Sequence, residues 1–569
     1  MLPRPRITLM KDTSKIFYLL LFVLALAVTF TGINIKFFTD DQGLYASIAK
    51  LMVQKNSFWE LYTYNSDWLD KPHFPFWAVM ISFKVFGVSA WAYRLPALLF
   101  FILSLVYTWL FTRKYYDWEV AAVAVLIVMT AQHTMLSNTD VRAEPYLMAL
   151  ITGSIYHIAR LEERFTLSQM LLAALLTACA IMTKGIFVIV AIYGSLLGQL
   201  LFQKKLKTLF QFKWILLWII TFIFTLPEFY ALYRQFDLHP EKTVFGAHGV
   251  SGIKWFLWDS QFGRFVNNGP INRKAGGSVF FYLHTLLWAF APWCLLFYYA
   301  VFKNVQKLIG RVKLNEYYTL TGGLLLLALF SLSRFQLPFY TNAVFPLFAI
   351  ITAPFCYNQL PAFGTMFRLI VQWIFVILLP VAVVLLNFYL KPVNDIFFAV
   401  DCILFGVLIL MVITNIKEVR KKVFFLNCVA ALFAGFYLNT IFYNEIVPYR
   451  GQIAAAQYVN HPAFSQFHIY TLKSENNIFQ FYCRKQVDLI PIEEFNSFRP
   501  TQASAFYVSQ QSMDVLKQSH TSFKVIQSFI NYSRENILPP FINRATRYKV
   551  LDSVYLIRKV EVSQESPKD

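Results

Sequence analysis

The amino-acid sequence predicts a mainly α, polytopic membrane protein that ends in a small α/β domain. Three observations lead there. Of 569 residues, 57% are hydrophobic and only 14% are charged, too little charge to cover a soluble protein of this length. Apolar stretches of spanning length recur between charged breaks. After Tyr449 the pattern changes to short β-rich runs between polar helical segments.

The first span, Ile16 to Ile35, contains no charged side chain and is long enough to cross the hydrocarbon as one helix. No A-x-A cleavage site follows it, so it reads as an uncleaved anchor. Further spans are expected near 91–112, 118–135, 144–160, 168–183, 185–202, 214–233, 279–302, 317–333, 338–356, 367–390, 395–414 and 423–443. That makes about thirteen transmembrane helices on the length criterion.

The net charge of +20 would suggest nucleic acid in a soluble chain, but its distribution argues for topology instead. Basic clusters fall at Arg4, Arg6, Lys11 and Lys15, at Arg113 and Lys114, and at Lys204, Lys205 and Lys207. Two more fall at Lys303, Lys307, Arg311 and Lys313, and at Lys417, Arg420, Lys421 and Lys422. They occupy alternate loops, which is the positive-inside pattern and puts the N-terminus in the cytoplasm. An odd number of spans then sends the tail outside. The expected division is a transmembrane domain over 1–444 and a periplasmic α/β domain over 445–569 of a bacterial inner-membrane protein.

Two loops on the outer face are long, about 36–90 and about 234–278. In the first, Leu44, Tyr45, Ile48, Leu51 and Met52 share a helical face, punctuated by Lys50, Gln54 and Lys55, as in a helix lying along the membrane interface. Residues 75–88, with Lys84, form a second such stretch. The second loop is polar, with Arg264, Arg273 and Lys274. The tail carries strand-like runs at Phe467 to Thr471, Val487 to Ile490, Ala505 to Val508, Phe523 to Gln527 and Ser553 to Ile557, interleaved with helices as in a small α/β unit. The six cysteines show no paired spacing, so neither zinc nor a disulfide framework is indicated. Cys483 stands alone in the tail, where a thiol reagent would test its exposure.

No phosphate-binding loop, dinucleotide turn or H-E-x-x-H helix is present. Whatever is transferred therefore arrives already activated, and a lipid-linked donor is the natural source beside a membrane. Asp40 and Asp41 follow the first span. Either could simply start a helix, and either could serve as general base toward an acceptor hydroxyl or amine. Lys71, aimed by Pro72, would stabilise a leaving phosphate, with Arg264 and Lys184 as further phosphate partners. Asp140, Arg142 and Glu144 form either a self-neutralising loop or a second acidic wall. In the second case Asp140 joins Asp41 in the chemistry and Glu144 joins the substrate-binding residues. The motifs name no cofactor and leave a divalent metal open.

The run Asp41-Gln42-Gly43-Leu44-Tyr45-Ala46, then Asp70-Lys71-Pro72, Phe76-Trp77, Phe86-Gly87 and Arg94-Leu95-Pro96 resembles bacterial members of the protein mannosyltransferase superfamily. These include the aminoarabinose transferases that modify lipid A. The resemblance continues through Thr183-Lys184-Gly185, Arg264-Phe265, Pro292-Trp293 and Ser331 to Tyr340, about the first 350 residues. It implies a membrane glycosyltransferase of the C-type fold that takes sugar from a polyprenyl phosphate with inversion. It further implies that Asp41 matches the catalytic aspartate, its spacing to Tyr45 selecting it over Asp40. Asp70 with Lys71 matches a Glu-Lys-Pro segment. Gln42, Asp70 and Gln336 depart from the residues common in the family, with Arg334 near the last of them. The expected partners are a polyprenyl-phosphate sugar, a lipid A, glycan or protein acceptor, and membrane lipid, without nucleic acid. The competing reading is a secondary transporter or lipid flippase, which would need ionisable groups at the bilayer midplane and broken helices in matching halves.

Overall fold

The structure, a computed structural model, describes residues 13–272, 277–393, 396–473, 476–500, 502–519 and 521–560. Arg4, Arg6, Lys11, Arg273 and Lys274 lie outside the described residues. Among those described, eight helices are long and apolar enough to cross a membrane. There are nine if Trp118–Thr130 and Gln132–Thr139, bent by 55°, form one broken span. The other predicted spans correspond to helices that length alone does not qualify. Val188–Phe202 and Tyr318–Leu332 are short. Phe281–Ala289 and Cys294–Ile309 are separated at Pro292, where a missing N–H interrupts helical bonding. Glu144–Glu163 is long enough but carries polar residues along its length, among them Thr152, Ser154 and His157.

Burial divides the helices into a centre and a rim. Glu144–Glu163 is buried along most of its length and packs against Ala90–Tyr115 and Leu167–Lys184. Gly153 permits this approach, since a Cβ there would lie 2.6 Å from a ring carbon of Tyr107. By contrast only 22% of the spanning window of Ala362–Leu390 is buried, and 17% of that of Ile396–Asn415. Helices apolar all round yet uncovered by protein are those that face lipid.

At one end of the bundle the two long connections interlock. Gln235 behaves like a strand backbone toward Leu61, its Nε2 donating to the Leu61 carbonyl (2.8 Å) and its Oε1 accepting from the Leu61 amide (2.9 Å). The hairpin Tyr62–Thr63 with Ser66–Asp67 is held by Lys242, whose Nζ lies 3.0 Å from Asp67. The second connection is more helical than its composition suggests, with Gly252–Lys254, a π turn Trp255–Asp259 and Ser260–Val266 forming one run.

The tail builds a five-stranded sheet in the order Val487–Leu489, His468–Thr471, Ser504–Ser509, Asp552–Lys559, Phe523–Asn531. Its first three strands are parallel and its last two pairings antiparallel. The helix Asn477–Tyr482 leaves this unit and packs on Asp40–Gln54. That contact corrects the interfacial reading of the first connection. Lys50 does not punctuate an exposed face. It is 5% exposed, and its ammonium donates to the carbonyls of Gln480 (2.9 Å), Phe481 (3.3 Å) and Cys483. The Asp40–Gln54 helix is enclosed between the bundle and the tail rather than lying on lipid.

Cys483 is likewise fully buried at the end of that contact, with its thiol pushed up by burial, so it is not an accessible reporter. Site-resolved mass spectrometry after maleimide treatment should find Cys483 unmodified in the folded protein and modified in denaturant. Labelling of the folded protein would show that Asn477–Tyr482 is not seated on Asp40–Gln54.

Candidate active site

Asp40 and Asp41 open the Asp40–Gln54 helix, where acidic side chains meet the positive end of the helix dipole. Successive residues on a helix point to different faces, and these two part company. Asp40 turns toward the tail, accepting from Asn477 and Ile478. Asp41 turns toward the bundle and pairs with Arg142. Arg142 also reaches Asp140, 3.3 Å away through its other terminal nitrogen, and the second oxygen of Asp140 accepts from Thr39 Oγ1 at 2.7 Å. One guanidinium thus bridges both predicted catalytic carboxylates, with its plane 4.2 Å from the Phe339 ring centroid. Burial disfavours its charge, but Asp140 and Asp41 more than reverse this and hold it firmly protonated. The Asp41 side chain remains 42% exposed while Arg142 is 12% exposed, so solvent reaches the carboxylate and not the cation behind it.

A second carboxylate gathers two cations. Asp70 accepts from Lys71 (2.6 Å) and pairs with Arg264 of the other long connection. Lys71 and Arg264 thereby flank one point, as a phosphate cradle requires. The loop that carries Asp70 and Lys71 is anchored by Glu228, near the end of the Phe212–Leu232 helix. One oxygen of Glu228 accepts from the His73 backbone (3.0 Å) and the other lies 2.9 Å from His73 Nδ1. Neither Glu228 nor His73 was singled out in the sequence. A lone carboxylate in the run Phe224-Thr225-Leu226-Pro227-Glu228-Phe229 was the available signal, because an acid within a span is costly unless it has a purpose.

Lys184, at the end of Leu167–Lys184, is paired with Glu144 and lies 3.9 Å from the Tyr340 ring centroid. Both charges are almost wholly buried. Glu144 is therefore not part of an exposed acidic wall. It is paired with Lys184, while Asp41 and Asp140 are the more exposed of these acids. Tyr45 lies among these groups. Burial pushes its phenol up to about 12, with Lys71 acting against the shift and Asp41 with it.

An apolar cavity of about 300 Å³ runs between Ile186, Val190 and Phe330 and ends on Lys184, Gln261 and Arg264. A smaller pocket of about 30 Å³ beside it is lined by Tyr45, Lys71 and Arg142. A larger cavity, about 940 Å³, lies elsewhere, between Lys36, Asp401 and Arg450, and touches none of the predicted site residues. Gln336 does not stand in for a cation. It ties the end of the second connection to the bundle, accepting from the Ser278 amide (2.9 Å) and donating to the Ser278 carbonyl (3.0 Å). An ammonium could not make both bonds. Among the described residues no group of three or more His, Cys, Asp or Glu is placed to hold a metal ion. Asp41 and Asp140 share Arg142.

Removing one partner of a buried ion pair leaves an uncompensated charge and costs about 3–5 kcal/mol. Glu144→Gln should therefore destabilise the protein by that order, and Glu144→Gln with Lys184→Met should recover most of it in thermal unfolding. Equal stabilities of the single and double variants would show that the pair is solvated.

Residues 70–230 match the family described as dolichyl-phosphate-mannose-protein mannosyltransferase. An uncharacterised protein of Aquifex aeolicus is 25% identical over 323 residues, covering 56% of this chain and 59% of its own length. The undecaprenyl phosphate-alpha-4-amino-4-deoxy-L-arabinose arabinosyl transferase of Yersinia enterocolitica is 24% identical over 305 residues, 53% of this chain and 52% of that protein. The chain thus spans little more than half the length of these curated relatives. Among solved structures, ArnT from Cupriavidus metallidurans bound to undecaprenyl phosphate shares the fold. It has a TM-score of 0.72 at 17% identity and covers 97% of this chain and 99% of that one.

Proposed function

We propose that this chain belongs to the superfamily joining the protein mannosyltransferases to the ArnT-type transferases and is a glycosyltransferase that takes its sugar from a polyprenyl phosphate. The observation that carries this reading is the apolar cavity ending on Lys184 and Arg264. Its largely apolar lining suits a prenyl tail, and the cations in its wall suit a phosphate. Lys71, held beside Arg264 by Asp70, completes a cationic cradle that favours the leaving group as negative charge builds on it.

Asp41 is the group that receives the acceptor proton. The acceptor hydroxyl or amine attacks the anomeric carbon from the face opposite the phosphate, the carbon–oxygen bond to phosphate breaks, and the anomeric configuration inverts. Arg142 orients the carboxylate, leaving its exposed edge toward the acceptor. Asp140 shares that guanidinium and acts as the second acidic group. Tyr45 borders both the cradle and the carboxylate.

The relatives support undecaprenyl phosphate as the lipid carrier; a lipid, glycan or protein acceptor uses the same chemistry. The alternating basic loops support about thirteen spans, a cytoplasmic N-terminus and a periplasmic site at the inner membrane. On this reading, residues 1–444 are the transferase and 445–569 a periplasmic domain.

Three measurements test the reading. Asp41→Asn in purified protein should lower transfer from undecaprenyl-phosphate-linked sugars by about 10²–10⁴-fold, with binding of undecaprenyl phosphate retained. Turnover above about a tenth of wild type would remove Asp41 from the chemistry. Lys71→Ala should weaken undecaprenyl phosphate binding and slow transfer, with Arg restoring only part because its fork has a different geometry. A reporter fused after Tyr449 should read periplasmic, and a cytoplasmic signal would overturn the topology.

A further inference from the structure

Between Asp40–Gln54 and the tail lies a contact that the transfer chemistry does not use. Asp40 Oδ1 accepts from the Asn477 amide (3.0 Å) and the Ile478 amide (3.3 Å), and its Oδ2 accepts from Asn477 Nδ2 (2.6 Å). The Asp40 amide in turn donates to Glu535 Oε1 at 3.1 Å, a second tether to the tail. Two turns along, Ser47 Oγ donates to the Asn477 carbonyl (3.1 Å). Lys50 takes the carbonyls at the far end, Gln480, Phe481 and Cys483. The short helix Asn477–Tyr482 thus has a carboxylate on its free amides and an ammonium on its free carbonyls, both supplied by one neighbouring helix.

The approach is too close for any side chain at Gly43, where a Cβ would stand 2.5 Å from the Ile478 nitrogen. Both charges are held against the cost of burial, which raises Asp40 to about 7 and lowers Lys50 to about 8. An ordinary packing contact would not need them.

We propose that Asp40 is a positioning residue: by fixing the first turn of Asp40–Gln54 to Asn477–Tyr482, it sets the direction in which Asp41 points. The two side chains leave one helical turn in fixed relative directions, so seating Asp40 on Asn477 aims Asp41 at Arg142. A rotation of that turn would move both. The tail then belongs to the catalytic assembly as its alignment frame. This rests on the reading of Asp41 as the reacting carboxylate.

The test uses full-length protein in nanodiscs, with undecaprenyl phosphate as binding probe and a panel of undecaprenyl-phosphate-linked sugars as donors. Asp40→Asn should lower kcat about 10²-fold, the scale of a small misplacement, with undecaprenyl phosphate affinity unchanged. The exchange Asp40→Asn with Asn477→Asp returns a carboxylate to the same contact from the other side and should recover much of the lost kcat. Asn477→Ala keeps both backbone bonds and should give a smaller fall in kcat, again without loss of affinity. It serves as the gentler variant should Asp40→Asn fail to fold. Wild-type kcat in Asp40→Asn, or in Asn477→Ala if that is the one that folds, would overturn the proposal. So would an exchange variant no faster than Asp40→Asn. Asp41→Asn separates the two levels. If it transfers normally, the reading of Asp41 fails and this proposal with it. If it is dead while Asp40→Asn is normal, the positioning role alone fails.

Discussion

A charge beside lipid is tolerated when its opposite lies within hydrogen-bond reach, and the end of this bundle is organised by that constraint. Arg142 stands between Asp41 and Asp140, Asp70 between Lys71 and Arg264, Glu144 against Lys184, and Glu228 against His73. The contacts Asp41–Arg142, Asp70–Arg264, Glu144–Lys184 and Glu228–His73 join segments far apart in the chain. Together they bring the first connection, the bent helix pair, the end of Leu167–Lys184 and the second long connection to one place. The groups suited to transfer chemistry are therefore also the groups that hold these segments together. Neutralising Arg142, Asp70, Glu144 or Lys184 would leave a partner without its opposite charge.

The pairing also sorts the charges by depth. Glu144 and Lys184 are closed off from solvent, Asp70 and its two cations are partly open, and Asp41 is the most exposed. A gradient of this kind suits a reaction that takes one substrate from lipid and the other from water. The dry end favours strong electrostatic contact with a phosphate, while the wet end lets a proton acceptor meet its partner.

Among the described residues, eight of roughly thirteen expected spans were legible because a long run of apolar residues has few alternatives to a buried or lipid-facing helix. The cluster of Asp41, Asp70, Lys71, Lys184 and Arg264 was legible because charged residues next to spans are conspicuous. Three things were not. Lys50 read as exposed because its helix alone shows a polar stripe, and the carbonyls that bury it lie 430 or more residues away. Cys483 was hidden by the same contact. The difference between Asp40 and Asp41 came from spacing to Tyr45 alone, since nothing local says which of two adjacent acids turns toward a partner near residue 477. Glu228 could have been found, as a carboxylate inside an apolar helix, but its target His73 could not.

That sequence separation has a consequence for how the protein is made. Asp40–Gln54 emerges early in synthesis, yet the amides and carbonyls that satisfy Asp40 and Lys50 belong to a segment that emerges after the last span. Throughout insertion of the intervening helices, the first connection carries a carboxylate and an ammonium with nothing to pair against. Quality control could sense this: a chain stalled before residue 477 displays an unfinished, hydrated loop. Only the completed polypeptide can close the seam and withdraw those charges from water.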